Sequence, residues 1–283
     1  MGDWPSAHEI DVLCKKAAGF FIYASTVVKF VASQHYPPDE RLALITSLPQ
    51  DTFHEGKSGI DLLYTQVLEQ AFHDVDQDFY LHFKSVVGAV LLISHPLSIN
   101  ALSDLLGDCG VPSKIYSALR TLHSLLLVPD TMKDPVHIFH KSFPDFLTHQ
   151  ERCKDERFFV NPLVHHQKIL LSCLNTMKGR LKRDICNLGR YTFLNEVEDL
   201  ATHRSAQIGD ALWYACRFWT HHLMMVPSSS PNFEEVQKEI DGFFTNHFLF
   251  WIEVLSLMGN LNIGVYALND IQQWYMLVSC IFF

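Results

Sequence analysis

The chain has 283 residues, of which 48% are hydrophobic and 19% charged, a composition typical of globular proteins with a large core. Its formal net charge of −9 argues against a general nucleic-acid binder, which needs basic patches to neutralise phosphates. Seven cysteines without a C-x-x-C pair favour buried thiols in a reducing compartment over a disulfide framework.

The first part of the chain, residues 1–59, is predicted to be a remnant helical domain with a linker. Apolar residues recur at helical spacing over 8–33, which predicts one amphipathic helix or two helices joined at Gly19. Another short helix is predicted over 38–48. The polar stretch that follows contains Gly56-Lys57-Ser58, but a P-loop also needs an earlier glycine and a preceding buried strand. This stretch is therefore interpreted as a linker.

Residues 60–152 have the element order of a winged-helix domain. Ser98 and Gly107 suit the N-cap and the C-cap of one of its helices. Alternation along its second strand places Val136, Ile138 and His140 on one face, with His137 and Phe139 on the other. Helices are predicted over 60–75, 76–94, 98–107 and 111–126, strands over 125–130 and 136–142, and a short helix from about Phe143.

The last part, residues 153–283, is predicted to be an α-helical arm. Two aromatic stretches, 213–223 and 243–259, are interpreted as helix packing in a core, with a partner-binding groove as the alternative. The predicted helices cover 162–182, 205–225, 233–245, 247–258 and about 262–276. The predicted fold is thus mainly α, a helical bundle plus a winged-helix domain with a small β-hairpin, followed by the arm.

Motifs of enzymes and of metal sites are missing from the sequence. It has neither a G-x-S-x-G nor an H-E-x-x-H motif, which predicts a chain that is not an enzyme. The pairs His165-His166 and His221-His222 are neighbours, and neighbours on a helix point about 100° apart, so neither pair forms a metal site by itself. Polar residues near the start and short apolar runs predict a cytoplasmic chain with no membrane or nucleic-acid partner.

The second predicted strand ends at His140, directly before a Ser-Phe-Pro-Asp turn. A histidine in this place could be a general base, a metal ligand, a core residue or a phosphate contact. Asp145 is close in sequence, but no serine or cysteine nucleophile is marked. The residues alone leave the role of His140 open.

Four blocks resemble the region after the nucleotide-binding core of fungal NACHT-type STAND proteins, which are relatives of the NOD-like receptors. They occur in order and cover nearly all of the chain. The blocks are "LCKKAAGFFIYASTVVKFV", "GIDLLYTQVLEQAF", "VVGAVLLISHPLSINALSDLLG" with "ALRTLHSLLLVP", and "VHIFHKSFPDFLTHQERCKDERFFVNPLVHHQKILLSCLNTMKGRL". The resemblance implies a non-catalytic regulatory segment of a signalling ATPase, which holds a nucleotide-dependent switch between closed and open states.

The resemblance also implies roles for two residues. In this family a winged-helix strand ends in a Met-His-Asp motif whose histidine contacts the β-phosphate of ADP. Phe139-His140-Lys141 stands at the matching place, so His140 is the candidate phosphate sensor, and capping of the helix near Ser142 is the alternative. Gly19 matches the family's Gly-x-Pro turn near the adenine, although the proline is missing; a close-packed helix crossing is the alternative.

Partners are implied in the same way. The family's Walker motifs would precede residue 1 and a repeat array would follow the last residue, so the chain resembles a fragment or a truncated gene model. The implied partners are an N-terminal NACHT nucleotide-binding domain, a C-terminal repeat domain and other proteins. ADP or ATP is implied for the intact protein and no cofactor for this chain alone. A stand-alone helical interaction module is the alternative function.

Overall fold

A computed structural model describes residues 4–32, 37–49, 59–72, 75, 77–107, 111–189, 194, 197–230 and 232–279. Within these ranges the chain forms fourteen α-helices and one two-stranded antiparallel sheet. The prediction of a mainly α protein with a small β-hairpin is confirmed. The predicted linker at Gly56-Lys57-Ser58 lies outside the described residues.

The helices and strands follow one another in an order close to the predicted one. In chain order they are α1 (Ala7–Ala17), α2 (Phe21–Val31), α3 (Pro38–Ser47), α4 (Gly59–Ala71), α5 (Gln77–Leu92), α6 (Ile99–Leu106), α7 (Pro112–Arg120), β1 (Leu126–Leu127), β2 (His137–Ile138), α8 (Ser142–Thr148), α9 (Pro162–Arg180), α10 (Leu200–Gln207), α11 (Asp210–Met224), α12 (Phe233–Asn246), α13 (Phe248–Leu257) and α14 (Leu261–Ser279).

The chain divides into two compact units, each built from several segments. The first comprises Met1–Leu91, Ser113–Thr131 and Pro135–Asn161, and the second comprises Leu92–Pro112, Met132–Asp134 and Pro162–Phe283. The predicted domain ranges, 1–59, 60–152 and 153–283, stay predictions.

In the first unit the segment 8–33 forms two helices, which is the second of the two predicted possibilities. Residues Ala18 and Gly19 have positive φ angles of 47° and 81°, and this left-handed conformation ends α1. The side chain of Lys16 then reaches the last turn of α3, where its Nζ donates to the carbonyl oxygens of Ile45 at 2.7 Å and Thr46 at 2.9 Å. Within the described part of the chain, the Ile45 carbonyl otherwise accepts only the long bond from the Leu48 N–H at 3.4 Å. The last turn of a helix is short of such donors, so the ammonium group stabilises the end of α3.

The hairpin of the first unit is shorter than predicted. Residue Leu126 pairs with Ile138, and Leu127 pairs with His137. On one side, Pro129 has no N–H group with which to extend the ladder. On the other side, Lys141 already has helical φ and ψ angles of −60° and −23°. Each strand therefore has only two residues.

Helix α4 anchors the first unit with one ion pair. The carboxylate of Asp61 is almost completely buried and accepts hydrogen bonds from Arg152, with Nη2 at 2.6 Å from Oδ1 and Nε at 3.2 Å from both oxygens. Such a two-pronged arrangement fixes both side chains in orientation as well as distance. Since 91 positions separate the two residues, the pair ties α4 to the segment after α8.

In the second unit the two aromatic stretches, 213–223 and 243–259, contribute side chains to the hydrophobic core. The indole rings of Trp219 and Trp251 are fully buried, with centroids 6.0 Å apart in an edge-on arrangement. The indole N–H of Trp251 donates to the Cys216 carbonyl at 2.9 Å, which satisfies a polar group that would be costly to bury alone. The core interpretation is confirmed for these residues.

The prediction of one continuous helix over 205–225 was wrong, because the structure has two helices there. Helix α10 ends at Gln207, and Ile208 has the non-helical angles φ −104° and ψ 79°. Gly209 then serves as the N-cap of α11 in an extended conformation. Glycine is a poor residue for a helix interior but is accepted at an N-cap, so the break belongs at this position.

The cysteines agree with the prediction of buried thiols. Four of the five in the described ranges, Cys153, Cys173, Cys186 and Cys216, are buried and free, whereas Cys14 is free and exposed. Burial raises the pKa of the Cys153 thiol to about 11, which keeps it protonated and unreactive at neutral pH. Across the described ranges, every helix is too short or too polar to cross a membrane.

Candidate functional site

His140 lies at the surface of the first unit, between the end of β2 and the start of α8. Along the preceding strand Val136 is buried and Ile138 half-buried, while His137 and Phe139 are exposed, as strand alternation predicts. The exposed His140 departs from this pattern because the strand has already ended at Ile138. Its ring is thus available to a ligand from outside.

The inner nitrogen of the His140 ring is engaged in the first turn of α8. Its Nδ1 atom accepts the backbone N–H of Ser142 at 3.1 Å and lies 2.8 Å from the Ser142 hydroxyl. The same hydroxyl lies 2.7 Å from the phenol oxygen of Tyr64 on α4. The bond to the Ser142 N–H is the helix-capping contact proposed as the alternative. Among the described residues, the outer nitrogen Nε2 has no hydrogen-bond partner. The role of His140 toward phosphate stays a prediction.

Tyr64 is a rigid member of this group. It is fully buried, and its ring centroid is 5.3 Å from that of Phe143 and 5.5 Å from that of Phe146. Burial raises the pKa of the Tyr64 phenol above its ordinary value of 10.0. The phenol therefore remains a hydrogen-bond donor over the physiological pH range.

The residue before His140 connects the hairpin to α2. The ammonium group of Lys29 lies 3.0 Å from the centroid of the Phe139 ring, a cation–π contact. Gly19 is ten positions before Lys29, which corresponds to roughly 15 Å along a helix axis. The structure thus brings α2 next to the His140 segment, and among the described residues no hydrogen bond joins Gly19 to His140.

Gly19 is explained by its backbone conformation. Its φ is +81°, and a Cβ atom added there would meet no heavy atom within 4 Å. A close helix crossing, the alternative for this residue, is thus not observed against the described residues. The two side chains that follow, Phe20 and Phe21, are 68% and 84% exposed. The turn between α1 and α2 therefore presents a glycine and two phenylalanines on an open surface.

Replacing Gly19 by alanine should lower the free energy of unfolding by about 1 kcal/mol, because a left-handed conformation is strained in residues with a Cβ atom. The matched control is Gly242→Ala in the interior of α12, where the added Cβ also meets open space. That change should raise the free energy of unfolding by about 0.5–1 kcal/mol. Chemical denaturation of both variants measures the two changes in the free energy of unfolding. An unchanged stability of Gly19→Ala would contradict the strained left-handed conformation assigned to this residue.

A cavity of about 650 Å³ lies elsewhere in the first unit. Its wall includes Phe30 and Arg41, and the Arg41 guanidinium donates to the Phe30 carbonyl and lies over the Phe30 ring. The cavity is lined by neither His140 nor Gly19. It is therefore separate from the predicted nucleotide contacts.

A buried histidine pair in the second unit was not predicted. The Nδ1 atoms of His166 and His222 lie 2.8 Å apart, and the Nε2 atom of His222 lies 2.7 Å from the phenol oxygen of Tyr214. The backbone N–H of Ser94 donates to that phenol at 3.1 Å. Burial lowers the pKa of both histidines from 6.5, so both rings are neutral at neutral pH. His166 and His222, which come from different adjacent pairs in the sequence, thus form a hydrogen-bonded pair in the core.

The chain is similar to a fungal incompatibility protein. It is 25% identical over 286 residues to the vegetative incompatibility protein HET-E-1 of Podospora anserina, an alignment that covers 93% of this chain and 19% of that protein. The chain thus spans about a fifth of the length of the curated relative that it matches. This distant similarity supports a relationship to the NACHT-type proteins of fungi. The family models and the solved structures contain no match.

Proposed function

We propose that this chain is the non-catalytic regulatory segment of a NACHT-type STAND signalling ATPase. The observation that carries the proposal is the similarity to HET-E-1 along 93% of the chain, in agreement with the sequence blocks that resemble this family. The segment would contribute to a switch whose closed and open states differ in their contacts with bound nucleotide. The winged-helix domain and the cytoplasmic location belong to the same proposal.

The surface of the first unit suits this role. A segment that closes onto a nucleotide-binding domain needs an exposed donor for phosphate and apolar side chains for the domain itself. The His140 ring is exposed, and one of its nitrogens has no partner within the described part of the chain; Phe20 and Phe21 are exposed beside Gly19. Exposed apolar groups of this kind mark interaction surfaces. We infer that the partner of this surface is a NACHT nucleotide-binding domain, which would supply the P-loop.

The proposal predicts that His140 strengthens the hold on ADP in a protein that carries a P-loop domain ahead of this chain. Replacing His140 by alanine should weaken ADP retention roughly ten- to hundred-fold, since a hydrogen bond to a charged group is worth about 1.5–3 kcal/mol. The matched control is His137→Ala, which removes an exposed histidine three positions earlier on the same segment. Nucleotide that co-purifies with each variant, and its dissociation rate, measure the effect.

Two outcomes would contradict the proposed function. Equal ADP retention in the His140 and His137 variants would remove the sensor role. Sustained ATP hydrolysis by the purified chain alone would show that it is an enzyme and not a regulatory segment.

A stand-alone module that binds a protein partner is the second candidate. It is favoured by the exposed apolar side chains of α14, among them Leu261, Val265 and Met276, whose spacing places them along one stripe of the helix. Genomic DNA upstream of Met1 discriminates between the two functions. An in-frame exon that encodes a P-loop supports the regulatory segment, whereas a promoter directly upstream supports the stand-alone module.

A further inference from the structure

The cavity of about 650 Å³ in the first unit has the size and the lining of a small-molecule site. Ligand pockets commonly measure about 300–1,000 Å³ and combine an apolar surface with a few polar groups that orient the ligand. The apolar part of this cavity is formed by Phe30, Val67 and Ala71. Its polar part includes Arg41 and Ser124, so the cavity offers both kinds of contact.

The charged side chains around the cavity are basic, although the chain as a whole is acidic. The chain has 22 lysines and arginines against 31 acidic residues, yet the described residues that line the cavity include Arg41 and Arg120 and no carboxylate. Arg41 is 6% exposed, and water and salt screen a charge in such a place less than they screen one at the surface. A ligand with a negative charge is therefore favoured.

The guanidinium of Arg120 is oriented by its own helix. It belongs to the last residue of α7, where its Nη1 donates to the Tyr116 hydroxyl at 3.0 Å and the group lies 5.5 Å from the centroid of the Tyr116 ring. A guanidinium has five N–H donors in a planar fork. The bond to Tyr116 uses one of them, and two parallel donors of such a fork match the two oxygens of a carboxylate.

Ser124 adds an observation that is independent of charge. This serine is 2% exposed and lines the cavity, and its Oγ atom has no hydrogen-bond partner within the described part of the chain. A buried hydroxyl without a partner is unfavourable, and native proteins pair nearly all such groups. A polar atom of a bound ligand would supply the partner.

We propose that the cavity binds a small organic carboxylate with an apolar body, such as an aromatic acid. Phosphate groups are commonly bound by the backbone N–H groups of helix N-termini, whereas Phe30, Ala71 and Arg120 lie in the last turns of α2, α4 and α7. Helix C-termini carry partial negative charge, so a monoanion paired with arginine suits this place better than a phosphate. The site is independent of the proposed function, because neither His140 nor Gly19 lines it.

Saturation-transfer NMR of the full chain tests the proposal with three probe acids, namely phenylacetate, 4-phenylbutyrate and 2-naphthoate. At least one acid is expected to bind saturably with a Kd of about 1 mM or below. The neutral amide of that acid should bind at least about tenfold more weakly, because it loses a charge-assisted hydrogen bond. The comparison of acid and amide needs only the wild-type chain.

Three variants then locate the site, and circular dichroism checks that each is folded. Arg120→Gln should weaken binding of the acid roughly ten- to hundred-fold. The matched control, Lys114→Gln, removes a positive charge from an exposed residue of the same helix outside the cavity and should leave the affinity unchanged. Ser124→Ala should weaken binding about fivefold without lowering the melting temperature of the unliganded chain, which a purely structural serine would lower.

Four outcomes would overturn the proposal. The first is the absence of saturable binding by all three acids at up to about 10 mM, and the second is equal affinity for acid and amide. The third is a folded Arg120→Gln variant that binds the acid as the wild-type chain does. The fourth is tighter binding of ADP or inorganic phosphate in competition with the acid, which would assign the cavity to phosphate.

Discussion

Replacing Arg152 by methionine should destabilise the first unit by about 3–5 kcal/mol, the largest effect expected of any substitution considered for this chain. The change leaves the carboxylate of Asp61 in a site where 3% of its side chain is exposed, without the guanidinium that compensates it. An unpaired charge in such a site is strongly unfavourable. Chemical denaturation followed by circular dichroism measures the loss, and hydrogen exchange in α4 assigns it to the first unit.

Two further variants test whether the loss of stability in Arg152→Met comes from the unpaired buried charge of Asp61. Lys15→Met removes an ion pair of the same unit whose partners, Lys15 and Asp11, are 64% and 55% exposed, and should cost no more than about 1 kcal/mol. Replacing Asp61 by leucine together with Arg152→Met removes both charges and should recover most of the lost stability. An Arg152 effect as small as that of Lys15 would show that the buried pair is unimportant.

The second unit should lose stability in mild acid. Burial, and the neighbouring histidines, lower the pKa of His166 and His222 below 6.5 in the folded chain, so the unfolded chain takes up protons first as the pH falls. The stability is therefore complete above about pH 6.5 and decreases below it, with a slope of up to about 1.4 kcal/mol per pH unit for each histidine. Denaturation curves recorded between about pH 7 and about pH 4 measure this slope.

A neighbouring histidine supplies the control for the acid effect. His221 is exposed, whereas the adjacent His222 is fully buried, so His221→Gln should retain the slope. A double variant, His166→Asn with His222→Gln, should be less stable at neutral pH and should depend much less on pH. A slope that persists in the double variant would assign the acid sensitivity to other groups.

Local patterns in the sequence were enough to predict most of the helices. Helical spacing predicted α3, α5 and α9 to within a few residues, and the cap residues of α6 were correct: Ser98 Oγ accepts the N–H of Ala101 at 3.2 Å, and Gly107 has a φ of 59°. These features depend on residues that are close in sequence. The break at Gly209 was missed because apolar residues continue on both sides of it.

The surroundings of the candidate site could not be predicted, because they join distant parts of the chain. Tyr64 and Ser142 are 78 positions apart, and His166 and His222 are 56 positions apart. A periodic pattern shows which face of a helix is buried, but it does not show which buried faces meet. The strand pattern singled out His140 and a family motif suggested its role toward phosphate, but its hydrogen bonds to Ser142 required the three-dimensional structure.

The two units are interleaved along the chain, which has an evolutionary consequence. Helix α6 belongs to the second unit and packs on α9 and α11, yet α7, the hairpin and α8 of the first unit lie between it and those partners in the gene. A recombination event anywhere in that interval would combine α6 of one parent with α9 and α11 of another, and apolar surfaces that had not diverged together would meet. Selection should therefore act against recombination within residues 92–161, so that the segments of both units are inherited together.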